Sequence, residues 1–218
     1  MSAHPLLLGH RGARRVSPEN TLAAFTLALE HGCHGFEFDV RRTCDAKSVI
    51  CHDARYYSMD VARTTLAALR KRAEFPTLNE VISRFGGRAF LDIELKIAGL
   101  EQAVADAVAE LPRHRFVISS FLPNVLARIR LIDLKLPTGL IFDRSRTLAD
   151  WRDLPIHYVI AEQSLAAPAL VREAHAHGKR LFVWTVNRQA DMLRLRDSGV
   201  DGIISDDTEL LCRTLHHP

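Results

Sequence analysis

Much is missing from this chain, and each absence removes a class of function. No Cys-x-x-Cys pair occurs among its four cysteines, Cys33, Cys44, Cys51 and Cys212. Neither a zinc knuckle nor a disulfide framework is indicated, so free thiols are expected. No apolar run is long enough to span a bilayer. The opening stretch, Met1-Ser2-Ala3-His4-Pro5 running into Leu6-Leu7-Leu8-Gly9, has no basic leader and too short an apolar core for a signal peptide. A cytoplasmic protein is expected. No aromatic-rich or basic amphipathic segment offers an interface-seeking surface, so no stable membrane association is expected. The formal charge is only +3. That value suits a small anionic substrate but comes without the clustered basic stripe of a nucleic-acid binder.

What is present is enough for one large core. With 218 residues, 47% of them hydrophobic, a single domain over 1–218 can use the whole length. Short apolar, β-branched runs alternate with amphipathic segments of about ten residues, the pattern of βα units on a parallel sheet. Nine runs read as strands: 6–8, 36–40, 49–51, 90–95, 116–119, 139–142, 158–160, 181–186 and 202–205. Several helix ends are written in the sequence. Thr77-Leu78-Asn79-Glu80 fits a capping box, Pro123 and Pro168 fit first-turn prolines, and Gly178 fits a stop.

Nine runs exceed a barrel of eight, and spacing identifies the extra one. A parallel crossover needs a dozen or more residues, and far fewer separate Val40 from Val49. The third run must return antiparallel. With Asp45-Ala46 at the tip of that hairpin, His52 would stand opposite Asp39. The other eight runs predict an α/β fold, a (β/α)8 TIM barrel with a short antiparallel return after the second strand. Sites in such barrels lie at the carboxyl ends of the strands.

The stretch Gly35-Phe36-Glu37-Phe38-Asp39-Val40 organises that end. Alternation along a strand sends Phe36, Phe38 and Val40 one way and both carboxylates the other. Asp92, Glu94 and Lys96 alternate with apolar residues in the same manner. Glu37, Asp39 and Glu94 make an oxygen cluster suited to a hard divalent cation, Mg2+ or Ca2+. The competing reading is an internal salt-bridge network with Arg11 and Lys96, which three buried acids with only local cations make costly. His10 and His52 approach from two different strands, as a general base and a general acid would. Arg11 offers a fork for a phosphate and Lys96 a point charge, and both would also balance the acids. Glu19 is expected to orient Arg11 or His10. Asn20 is read most simply as a helix cap, and both residues are candidates for substrate contact. Trp184 faces inward and could wall the carbon-bearing part of a ligand or simply pack the core.

Taken in order, His10-Arg11-Gly12, Pro18-Glu19-Asn20-Thr21, Glu37-Phe38-Asp39-Val40, Thr43-Cys44-Asp45, His52-Asp53, Glu94-Leu95-Lys96, Ser119-Ser120-Phe121, Val183 to Asn187 and Gly199 to Gly202 resemble the glycerophosphodiester phosphodiesterase family across nearly the whole chain. The resemblance implies a barrel enzyme that uses a divalent metal to hydrolyse glycerophosphodiesters, small soluble substrates, to sn-glycerol 3-phosphate and an alcohol. It implies acid and base roles for His10 and His52, metal binding by Glu37, Asp39 and Glu94, and phosphate binding by Arg11 and Lys96. Three departures stand out. Ala46 replaces the family's usual glycine in the hairpin, Asp92 stands where an asparagine is usual, and the subdomain often inserted after the His-Asp pair is missing. Two other functions stay open. One is a related phospholipase-type reaction, phosphoinositide cleavage or a sphingomyelinase D-like step, and the other is non-catalytic binding of a phosphoester.

Overall fold

A computed structural model of the chain describes residues 4–143 and 151–216. Its strands are β1 (Leu6–His10), β2 (Gly35–Arg42), β3 (Ser48–Ile50), β4 (Arg55–Tyr56), β5 (Met59–Asp60), β6 (Phe90–Leu95), β7 (Phe116–Ser120), β8 (Thr138–Phe142), β9 (Tyr158–Glu162), β10 (Arg180–Trp184) and β11 (Gly202–Ser205). Its helices are α1 (Leu22–Glu30), α2 (Leu66–Arg70), α3 (Leu78–Phe85), α4 (Glu101–Ala107), α5 (Pro123–Ile132), α6 (Pro168–Ala176), α7 (Gln189–Asp197) and α8 (Thr208–Leu215). All nine expected runs fall on strands, although Cys51, Thr185 and Val186 lie past the ends of theirs. β4 and β5 add a small separate hairpin that alternation alone did not reveal. No described helix is long and apolar enough to cross a membrane.

Eight parallel strands close into a barrel, because β1 pairs with β11 on one side and with β2 on the other. The helix ends follow their sequence signals. Thr77 and Glu80 form a reciprocal capping box, Pro123 and Pro168 sit in first turns, and Gly178 leaves its helix at φ 68.

Alternation also divides the core. Outward-facing Phe36, Phe38, Leu91, Ile93 and Ile118 are buried beneath the helices. Inward-facing Leu8, Phe90, Val117, Tyr158, Ile160, Phe182 and Ile204 fill the barrel itself. Phe182 packs 5.7 Å from Phe90 and 5.0 Å from Tyr158, centroid to centroid. Each such ring contributes about 2–3 kcal/mol of burial. Gly35 permits the plug, since a Cβ there would lie 1.8 Å from the Phe90 carbonyl oxygen. Above this apolar floor the inward positions turn polar: His10, Glu37, Asp39, Asp92, Glu94 and Ser119 are all buried.

β3 does return antiparallel on β2, but the expected register is one residue off. Val40 pairs with Ile50 and Arg42 with Ser48, so Asp39 stands opposite Cys51, whose N–H donates to the Asp39 carbonyl at 3.0 Å. The cause is the turn. Thr43 N–H donates to the Lys47 carbonyl at 3.0 Å, and Ala46 takes a left-handed φ of 59. The tip is therefore centred on Asp45 rather than between Asp45 and Ala46. His52 lies past the last paired residue, where the chain bends.

Candidate active site

The site begins with the tight turn after β1. Arg11 and Gly12 both have positive φ, 54 and 82. A Cβ on Gly12 would come within 2.7 Å of the Ala24 backbone, so glycine there lets α1 dock closely. The turn aims the Arg11 backbone N–H at Glu37 Oε2, 3.0 Å away. The Arg11 guanidinium donates to Glu19 at 3.0 Å and lies 3.3 Å from Asp39 Oδ2.

One carboxylate oxygen from each of Glu37, Asp39 and Glu94 lies within 4.8 Å of the other two. Lys96 Nζ stands 2.7 Å from Glu94 Oε1 and 3.4 Å from Asp39 Oδ1. Asn20 donates from Nδ2 to Asp39 Oδ2 at 2.8 Å. Asp92, fully buried, accepts the Ser119 hydroxyl at 2.5 Å. Glu37 Oε1 and Asp92 Oδ2 are sealed from water with no hydrogen-bond partner, and Asp39 Oδ1 likewise has none. Burial pushes Glu37 well above the usual carboxylate range, and its neighbouring acids push it further. Burial, with the other acids, raises Asp92 and Glu94 each to about 7 despite Ser119 and Lys96. Asp39 differs. Burial raises it too, but Lys96 and Arg11 more than offset that, and it ends below its ordinary value. Were all four acids ionised, they would leave a net −2 against Arg11 and Lys96, the charge that one divalent cation neutralises.

Two imidazoles face this cluster. His10 Nδ1 lies 2.7 Å from Asp206 Oδ1, and Asn187 Nδ2 donates to the other Asp206 oxygen at 2.7 Å. An N–H on Nδ1 satisfies the carboxylate and leaves Nε2 with its lone pair free, 3.9 Å from Glu37 Oε2. His52 Nδ1 pairs with Asp53 at 2.8 Å, and its carbonyl accepts from Arg41 Nε at 2.8 Å. Burial lowers the His52 imidazole, and Asp39 works against that.

A cavity of about 400 Å³ joins these groups, lined by His10, Arg11, Glu37, His52, Glu94, Lys96 and Trp184 among others. Trp184 meets Phe121 edge-on at 5.6 Å, and together they wall one side. Glu19 and Asn20 stand behind Arg11 and Asp39 rather than in the cavity wall. Asn20, with φ 60, is not the helix cap: that is Thr21, whose hydroxyl accepts from the Ala24 N–H at 3.1 Å. Glu162, another strand-end acid, instead accepts from the Ser164 N–H. Sequence reasoning gave no role to Asp206, Arg41 or Asp92. Position at a strand end was the available signal for Asp206 and an inward register for Asp92.

A closed parallel barrel with paired imidazoles, a carboxylate cluster and two cations at the carboxyl ends of its strands is the layout of a barrel enzyme for an anionic ligand. The chain belongs to the glycerophosphoryl diester phosphodiesterase family, whose model matches residues 10–210. A glycerophosphodiester phosphodiesterase of Caldanaerobacter subterraneus is 31% identical over 94% of this chain and 96% of its own. The solved glycerophosphodiester phosphodiesterase of Thermotoga maritima superposes with a TM-score of 0.84 at 26% identity, covering 96% of this chain and 98% of its own. An Oleispira antarctica phosphodiesterase, solved with the product sn-glycerol-3-phosphate, gives the same TM-score and identity over 99% of this chain and 98% of its own.

Proposed function

We propose that this enzyme hydrolyses glycerophosphodiesters to sn-glycerol 3-phosphate and an alcohol, in the cytoplasm, with Mg2+ or Ca2+ held by Glu37, Asp39 and Glu94. The observation that carries the reading is the pair of carboxylate-anchored imidazoles, His10 and His52, bordering one cavity with an undercompensated carboxylate cluster. A divalent cation bound there would neutralise the cluster and act as a Lewis acid on a phosphoryl oxygen.

The protein's own groups account for the rest. Arg11 and Lys96 flank the phosphate position and oppose negative charge developing on phosphorus. His10, with its proton fixed on Nδ1 by Asp206, takes a proton from the attacking oxygen at Nε2. His52 protonates the departing alcohol. A bound phosphate anion adds the negative charge that favours its imidazolium, and Asp53 holds the ring. Glu19 positions Arg11, Asn20 positions Asp39, and the wall of Trp184 and Phe121 takes the carbon atoms of the glycerol half.

The test is release of glycerol 3-phosphate from glycerophosphocholine by chelated protein with and without added Mg2+ or Ca2+, beside vesicles of intact phospholipid. Turnover of the soluble substrate only with cation is expected. Equal turnover by fully demetallated protein, or cleavage confined to vesicles, overturns the reading.

A further inference from the structure

Outside the active site, two of the four thiols meet. Cys33 Sγ and Cys212 Sγ lie 3.5 Å apart although 179 residues separate them in sequence. Cys33 sits in the turn between α1 and β2, and Cys212 sits on α8. The contact therefore spans the seam where the last βα unit closes on the first. Both are buried, 6% and 4% exposed, and the described part of the chain leaves all four cysteines unbonded. Cys33 also lines a depression of about 1030 Å³ at the amino end of the barrel, beside His34, Arg88 and Arg115, which gives a small solute a route to the pair.

We propose that Cys33 and Cys212 are a peroxide-oxidisable thiol pair that closes into a disulfide stapling the first and last βα units. Closure needs the sulfurs to approach from 3.5 Å to about 2.05 Å. Rotation and small shifts at a turn and a helix can supply this more readily than motion of barrel strands. Either thiol can donate its S–H to the other, so whichever sulfur loses its proton is stabilised by its partner. The thiolate of one cysteine attacks one oxygen of hydrogen peroxide, the O–O bond breaks, and hydroxide leaves with the proton that this cysteine gave up, forming water. The sulfur of the other cysteine then attacks that sulfenic sulfur, and its proton leaves with the hydroxyl as a second water. Two thiols and one peroxide thus give one disulfide and two waters. In a reducing cytoplasm the pair rests as the dithiol.

The experiment treats the full chain with a few equivalents of hydrogen peroxide, removes the peroxide, and counts thiols under denaturation. A fall from four thiols to two is expected, with the loss of two hydrogens in intact mass and a cross-linked peptide pair containing Cys33 and Cys212. Because the closed loop is long, Tm should rise by about 5–15 °C and return on reduction. Cys33→Ser and Cys212→Ser should each abolish the mass loss. Should either variant not fold, peptide mapping of the unaltered chain decides alone. Retention of all four thiols, a cross-link through Cys44 or Cys51, or a disulfide that leaves Tm unchanged overturns the proposal.

Discussion

One carboxylate decides what each imidazole can do. Asp206 Oδ1 lies against His10 Nδ1 and Asp53 Oδ1 against His52 Nδ1, so a proton held on Nδ1 of either ring leaves its Nε2 free for proton transfer. His10→Ala and His52→Ala should each lower kcat by roughly two to four orders of magnitude, the usual size of a general acid or base contribution. If both act in one displacement, as proposed, the double variant should be little worse than the poorer single one. A nitrophenolate leaving group, which needs no proton, should rescue His52→Ala but not His10→Ala. Rescue of His10→Ala alone would reverse the two roles, and full additivity would leave one of them merely structural. The acids, both histidines, Arg11 and Lys96 were legible because strand alternation and strand ends are visible in the sequence. The Asp206 support was not, because it crosses the β1–β11 seam between residues 196 apart. Asn20 was misread for a local reason. Asparagine is a good cap, but here a left-handed backbone turns its amide onto Asp39, leaving the cap to Thr21.

At the scale of elements, the switch from apolar to ionisable residues along the inward face of β2 and β6 fixed where the barrel floor ends and the site begins. The hairpin register was not legible, because a turn with one residue more or fewer reads almost the same. Ala46, at φ 59, occupies a conformation that glycine adopts without strain. Ala46→Gly should therefore raise Tm by about 2–4 °C, for roughly 1 kcal/mol of relieved strain, with kcat unchanged. A lowered Tm in thermal unfolding would show that the turn tolerates alanine freely. The connection after that hairpin bears on specificity. Residues 53–66 fold into β4, β5 and one 3-10 turn around a small cluster with Val61 and Phe75, and Tyr56 is held edge-on against Phe75 at 5.0 Å. That segment is packed against its own side of the barrel, so among the described residues it would offer little enclosure to an alcohol beyond the phosphorus. Poorly enclosed groups are poorly discriminated. Glycerophosphocholine, glycerophosphoethanolamine and glycerophosphoglycerol should be cleaved with kcat/KM within about tenfold, roughly 1.4 kcal/mol. A thousandfold preference in steady-state assays would point instead to Tyr56, Tyr57 or the loop from Phe142 to Arg146, of which residues 144–146 lie outside the described residues.

For the molecule as a whole, four carboxylates set over an apolar plug link stability to protonation, and would link both to any divalent cation bound there. Asp92 and Glu94 titrate near 7 in the folded chain, and Glu37 is raised well above its usual value, against about 4 in the unfolded chain. Between those values the folded protein holds protons that the unfolded chain has shed. By linkage this contribution to stability is fully present below about pH 4 and is lost as pH rises through about 7. His34, His52 and His157, each lowered mainly by burial, act in the opposite sense. Their contribution is present above about 6.5 and is lost as pH falls. The two effects overlap in a bare pH–Tm curve, but a divalent cation held by Glu37, Asp39 and Glu94 would separate them, because it would bind only the deprotonated acids. At a concentration near a hundred times Kd, binding stabilises by about 2.7 kcal/mol, or roughly 5–10 °C for a chain of this size. Mg2+ or Ca2+ should therefore raise Tm by about that much at pH 8 and by less than about 2 °C at pH 5. Glu37→Gln, which keeps the shape and removes one charge, should flatten the difference. An equal rise at both pH values in the unaltered protein would mean that the cation binds elsewhere, and that Glu37, Asp39 and Glu94 are held together by Arg11 and Lys96 alone.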